Sequence, residues 1–201
     1  MPTPEKTTRE AIVAAGRQLA ELHGVAGLTM QAVADAVGVR APSLYKRVRD
    51  RDELLELVVA ASIADMTARL EAQQQADPRE RLTALADVMR AFAHERPVGW
   101  GLVFGAHGAP RPEPAASVGA VTPLLDAVAE LTGPEHALDG ARLMTAWATG
   151  YITMELNDRL KMGGDIDAAW RWGLGRIVDS LAPAIGSDRD SRVTDGRAEH
   201  A

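Results

Sequence analysis

Apolar residues recur along the chain at intervals of three and four, and no segment shows the strict alternation of a half-buried strand. The first stripe is Ile12, Ala15, Leu19 and Leu22, opened by Thr7 and Glu10 at capping-box spacing and ended by Gly24. Thr29 predicts the N-cap of a short second helix, Met30 to Ala36, with Met30, Val33 and Val37 inward and Gly38 as its stop. A third helix is predicted from Ala41 to Val48, with Pro42 in the first turn, where a missing N–H costs nothing. Asp50 and Glu53 repeat the capping spacing before a long fourth helix carrying Leu55, Val58, Val59, Ile63, Met66 and Leu70.

Asp77-Pro78 opens the next helix, with Leu82, Leu85, Met89 and Phe92 inward, closing near His94 ahead of Pro97. A short segment from Val98 to Gly105 precedes a Pro-rich loop over 108–116. Val118, Val121, Leu125 and Val128 form a further stripe ended by Gly133-Pro134. A long helix is expected from Asp139 to Met162, stopped by Gly163-Gly164. Asp165 then caps a last helix with Ile166, Trp170, Leu174, Ile177 and Leu181, and the polar stretch after Pro183 reads as disordered. The pattern predicts an all-α protein of about nine helices. Its expected divisions are a head over 1–51, a helical body over 52–184 and a tail over 185–201.

Composition narrows the class. With no cysteine among 201 residues, disulfides, thiolate metal sites and a cysteine nucleophile are excluded. The longest apolar run, Leu57 to Ala61, falls far short of the ~20 residues of a membrane span. The N-terminus lacks a signal-peptide core. A cytoplasmic protein without a membrane partner is the expectation. The formal net charge of −6 argues against a nucleic-acid binder until the chain is split. Residues 1–51 hold eight Lys/Arg against five acids, whereas 52–201 hold fourteen against twenty-three. Between Arg40 and Arg51 there are five basic residues and one acid, Asp50. Seven of the eight aromatics follow residue 90, leaving Tyr45 alone in the basic segment. No nucleophile elbow, Walker sequence or zinc-protease motif is present, and the five histidines are scattered. Neither catalytic residues, a metal nor a cofactor is expected.

Two short helices meeting at a glycine turn, Thr29 to Val48, have the layout of a helix-turn-helix, whose second helix enters the major groove. Arg40, Ala41, Pro42, Ser43, Tyr45, Lys46 and Arg47 are the candidates to face DNA. Arg47, Arg49 and Arg51 are permanently charged forks suited to phosphate, and Lys46 or Arg47 suits the guanine edge. The segment Thr29…Val33-Ala34…Gly38-Val39…Pro42-Ser43-Leu44-Tyr45…Val48…Arg51-Asp52-Glu53-Leu54-Leu55 closely resembles the DNA-binding domain of TetR-family (tetracycline-repressor-type) regulators. The resemblance covers about residues 7–55. It implies a homodimer on a palindromic double-stranded DNA operator and a C-terminal domain that senses a small molecule. It also implies phosphate-facing roles for Thr29, Tyr45 and Arg51. Arg51 stands where the family usually has lysine, Arg47 where histidine is common, and Val48 where phenylalanine is commoner.

Farther on, Arg81-Leu-Thr-Ala-Leu-Ala…Phe92-Ala…Glu95-Arg-Pro97…Leu102-Val-Phe104-Gly105 and Trp147-Ala-Thr-Gly150 resemble one TetR-type C-terminal subfamily. Thr149-Gly150 replaces its frequent His-Gly. Met89, Phe92, Trp100, Phe104, Met144, Trp147 and Tyr151 are the candidate lining of an effector pocket, with His107, Tyr151 and Glu155 as its polar groups. The resemblance implies that the last two helices form the dimer face, with Gly173 and Gly175 permitting close approach and either Trp170 or Trp172 as anchor. The function implied is a ligand-responsive repressor released from its operator by a small apolar effector. The alternative is a small-molecule-binding helical protein without sequence-specific repressor activity.

Overall fold

A computed structural model of the chain describes residues 8–104 and 114–181, with side chains from 119 onward in the second stretch. Nine helices and no strand occur among them. They are α1 (Arg9–Gly27), α2 (Met30–Ala36), α3 (Ala41–Leu44), α4 (Arg51–Glu71) and α5 (Pro78–Glu95). These are followed by α6 (Pro97–Phe104), α7 (Pro114–Thr132), α8 (Ala137–Leu156) and α9 (Ile166–Leu181).

The apolar stripes close into two cores. One gathers Ile12 of α1, Leu28, Met30 and Val33 around α2, Leu44 and Val48 around α3, and Leu54 to Ile63 of α4. The other gathers Met66 and Leu70 of α4 with the inward faces of α5, α7, α8 and α9. Helix α4 therefore serves both, its N-terminal two-thirds in one and its last turns in the other. Polar links cross the same junction. Asp65 of α4 accepts from Arg17 of α1 at 2.6 Å and from Arg69 at 2.9 Å, and Arg69 reaches Glu95 of α5 at 2.7 Å. Glu21 of α1 accepts from the backbone N–H groups of Val98 (3.0 Å) and Gly99 (2.8 Å), two of the donors left open at the start of α6.

Several boundaries depart from the pattern. Thr8, not Thr7, caps α1 by accepting from Ala11 N–H at 3.2 Å; Thr7 lies outside the described residues. Helix α1 runs past Gly24 to Gly27 across a break at Gly24 (φ 70°). The inward places there go to Val25 and Leu28, which leaves Leu22 74% exposed. Regular helix in α3 stops at Leu44, and the N–H groups of Arg47 and Val48 both turn back to the Leu44 carbonyl. Pro114 opens α7, so 114–116 are helical rather than loop; the rest of the Pro-rich segment lies outside the described residues. Helix α8 ends six residues before Met162. Asp158 takes φ 58°, and the N–H groups of Asp158 and Arg159 bond the carbonyls of Glu155 (3.0 Å) and Met154 (2.8 Å). That is a Schellman ending with aspartate in the usual glycine place. The tail after Pro183 lies outside the described residues.

Candidate nucleic-acid interface and effector cavity

The turn between α2 and α3 is fixed by local chemistry. Thr29 Oγ1 accepts from Ala32 N–H at 3.1 Å and starts α2; the hydroxyl proton of this exposed residue is still available to a donor's task. At the other end Gly38 (φ 72°) gives its N–H to Asp35 and Val39 gives its own to Ala34 at 2.9 Å, closing the helix. Leu44 and Val48, at 0% and 1% exposure, take the inward side of the following segment. Pro42, Ser43, Tyr45, Lys46 and Arg47 are thereby turned to solvent, with Arg40 exposed just before them and Ala41 half-buried. Tyr45 is 55% exposed, so it is not a core ring.

The arginines after this face divide by task. Arg49 pairs with Asp50 at 2.9 Å, which raises its pKa, while the Glu53 N–H and then Arg49 hold Asp50 below the usual carboxylate range. Arg51 points inward. Its Nε donates to the Leu28 carbonyl and its Nη2 to the Val25 carbonyl, both at 2.7 Å, tying the start of α4 to the end of α1. Nothing in the sequence near Arg51 signals this, because its acceptors are backbone groups more than twenty residues away.

In the body, a cavity of about 170 Å³ opens between five helices. Helix α4 contributes Ile63, Met66 and Leu70; α5 contributes Leu85, Ala86 and Met89; α6 contributes Val103 and Phe104. Ala120, Val121 and Leu124 of α7 and Met144, Thr145 and Ala148 of α8 complete the described lining. Of the residues expected from sequence, Met89, Phe104 and Met144 are brought together here. The rest are not. Phe92 is fully buried in the core, and Trp100 packs on Phe104 with centroids 4.2 Å apart without joining the lining. His107 lies outside the described residues.

Trp147 and Tyr151 belong to a separate aromatic cluster. Trp147 stacks on Trp170 at 4.9 Å and Tyr151 meets its edge at 5.2 Å. A Cβ on Gly173 would fall 2.7 Å from the Trp147 ring, so glycine there permits the stack. Trp170 donates to Asp87 at 2.7 Å and lies under Arg90, so at 1% exposure it is core and not a surface anchor. Tyr151 gives its hydroxyl proton to the Ile166 carbonyl at 2.9 Å, and burial pushes its pKa up. Glu155 is held by Arg90 through both oxygens and by His94 at 3.2 Å, and its pKa is lowered chiefly by Arg90. These partners place it in a polar groove of its own, with Asp87, Arg90, His94 and Asp167.

The missed lining residues carried only ordinary helix periodicity, which does not separate a cavity wall from a filled core. Trp172, by contrast, is 72% exposed, and Leu143 and Met154 of α8 are 44% and 46% exposed. Among the described residues no helix is long and apolar enough to cross a membrane, and no cluster of three His, Asp or Glu is placed to hold a metal.

Two family models match the chain. Residues 12–58 match the bacterial regulatory proteins of the tetR family, and 82–177 match a tetracyclin repressor-like C-terminal domain. The chain is 34% identical over 98 residues to the HTH-type transcriptional regulator Rv1816 of Mycobacterium tuberculosis, covering 47% of this chain but only 42% of that protein's length. An uncharacterized HTH-type transcriptional regulator of the same organism, Rv0681, is 27% identical over 76% of this chain and 72% of its own. A solved structure of a protein of unknown function from Rhodococcus sp. RHA1 superposes with TM-score 0.78 at 25% identity, over 91% of this chain and 100% of that one. A TetR variant from Acinetobacter baumannii AYE, solved with minocycline, shares the fold with TM-score 0.65 at 21% identity, over 87% and 96% of the two chains.

Proposed function

The chain belongs to the TetR family of bacterial transcriptional regulators, and we propose that it is a homodimeric repressor released from a palindromic operator by a small apolar effector. The observation that carries this reading is the outward face of α3 and its following turn. Pro42, Ser43, Tyr45, Lys46 and Arg47 stand exposed on a segment whose inward side is anchored by Leu44 and Val48. Thr29, at the start of α2, and Arg40 flank it. In this reading Thr29 and Tyr45 hold phosphates, and Lys46 or Arg47 reads base edges. Arg51 acts on the interface through α1 and α4, since two of its donors are engaged.

The functional division falls near residue 51, with the cavity in the body as the effector site. Leu143, Gly150 and Met154 lie along one side of α8, and Trp172 on α9, in a face suited to a second copy of the chain. Two heads related by a twofold axis then meet successive major grooves. Filling the cavity biases dimer states with different spacing between heads.

Selection of genomic fragments by the purified full chain tests the proposal. The expected result is enrichment of one pseudo-palindromic site, bound in a salt-dependent manner and lost in Tyr45→Ala with the helical circular dichroism unchanged. Equal recovery of random duplexes at moderate salt would favour a small-molecule-binding protein without repressor activity.

A further inference from the structure

The cavity walled by α4 to α8 has a chemistry that narrows its occupant, given the reading of this cavity as the effector site. We propose that the occupant is a small uncharged single-ring aromatic compound carrying at most one hydroxyl group.

Size sets the first limit. The cavity measures about 170 Å³, and an apolar protein cavity of about 150 Å³ stays dry and takes up benzene. A six-membered ring with one or two small substituents matches this volume, whereas a long acyl chain or a fused multi-ring skeleton would project beyond the described lining.

Charge sets the second. None of the described lining residues is ionisable. Charged side chains of the surrounding helices pair elsewhere: Arg90 and His94 with Glu155 and Asp167 in a separate groove, Arg69 with Asp65 and Glu95, and Arg81 with Glu130. An ion entering the cavity would shed its water and meet no charged partner among the described lining residues.

The third is the kind of apolar surface. Three of the seven methionines, Met66, Met89 and Met144, come from three helices to line the cavity with Phe104. Thioether sulfur at a ring edge and ring-on-ring contact with Phe104 both favour an aromatic guest over an alkane of equal volume. Thr145 supplies the single hydroxyl of the described lining and can orient one polar substituent as donor or acceptor.

Calorimetric titration of the full chain with toluene and p-cresol, against benzoate, benzylammonium and dodecanol, tests the assignment without DNA. Toluene and p-cresol are expected to bind, p-cresol several-fold tighter, and the other three at least tenfold weaker than toluene. Thr145→Val removes the p-cresol advantage, so that p-cresol binds no tighter than toluene to this variant. Ala148→Phe, which fills the cavity, abolishes both. Should that variant fail to fold, Leu85→Ala enlarges the same cavity and shifts preference from toluene to naphthalene. Benzoate or dodecanol binding as tightly as toluene, or toluene affinity unmoved by the cavity variants, overturns the proposal. A parallel gel-shift separates the two readings. Toluene binding that leaves the operator complex intact refutes the effector role while supporting the ligand class. Operator recognition without toluene or p-cresol binding refutes the ligand class alone.

Discussion

Replacing Arg51 by alanine separates a structural clamp from a phosphate contact. The wild-type guanidinium spends Nε on the Leu28 carbonyl and Nη2 on the Val25 carbonyl, each at 2.7 Å, in a part-buried setting. Hydrogen bonds from a charged donor contribute about 1.5–3 kcal/mol each when fully protected. Both acceptors here lie at a helix end that water can reach once the side chain is gone, so about 1 kcal/mol each is the sounder figure. A cation beside the C-terminal end of α1 adds roughly 0.5 kcal/mol. The expected loss is therefore about 2–3 kcal/mol. With a urea m-value of about 2–3 kcal/mol/M, the unfolding midpoint falls by roughly 1 M at fixed protomer concentration. Arg51→Lys recovers less than half of this, because one ammonium on a single stem does not reproduce the fork across two carbonyls. The assay is urea unfolding followed by far-UV circular dichroism, paired with operator affinity across a salt series. A wild-type midpoint in Arg51→Ala, together with weakened operator binding and a salt slope reduced by about 0.9, would refute the clamp and return Arg51 to the phosphate backbone.

Other expected outcomes follow from single contacts. Gly38→Ala meets no atom within 4 Å, so its cost is the φ 72° backbone alone, about 1 kcal/mol in thermal or urea unfolding. Because Arg90 lowers the folded pKa of Glu155, the pair's contribution is complete above the unfolded value of about 4.3. It is lost as pH falls through the lower folded value, and Glu155→Gln flattens that acid limb in stability measured from pH 6 to 3. Trp172→Ala raises the dimer dissociation constant by about thirtyfold or more in sedimentation equilibrium if this ring anchors the second copy. Glu21→Ala leaves the first N–H groups of α6 without their carboxylate; a loss of about 1–2 kcal/mol is expected in thermal unfolding, by analogy with a deleted helix cap.

Legibility in the sequence followed the range of the interactions. Thr29, Gly38, Asp50 and Asp165 act on backbone groups within a few residues of themselves, and their spacing announced the helix ends they make. Tyr45 was legible as a surface ring from its place among the basic residues of 40–51, and Leu44 and Val48 take the core on that segment. Asp158 was not, since aspartate in a left-handed conformation looks like any polar helix residue until its neighbours' hydrogen bonds are known. Trp147 and Tyr151 shared the aromatic character of a ligand cage, but a Trp at 170 and a Gly at 173, one helix away, drew them into a stack. Size and hydropathy carry no record of which partner a ring will find. Arg51 and Glu21 illustrate the same limit for charge, as both act on backbone groups of distant segments.

The sharing of α4 between two cores bears on how such a protein can be cut and recombined. A fragment ending at residue 51 would forfeit Leu54, Leu55, Val58 and Val59, which wall the N-terminal core at no more than 8% exposure. A chimaera joining this head to a foreign sensor at that point would have to supply the wall from a sequence that never evolved against Ile12 and Leu44. Crossing over after Ile63 keeps the α4 wall of the head's core and places the junction just before Met66, where the helix starts to serve the other core. The borrowed part must then still supply a counterpart to Leu102 of α6, which closes the head's core, and to Asp65, which holds Arg17. The exchangeable unit is thus longer than the unit that faces DNA.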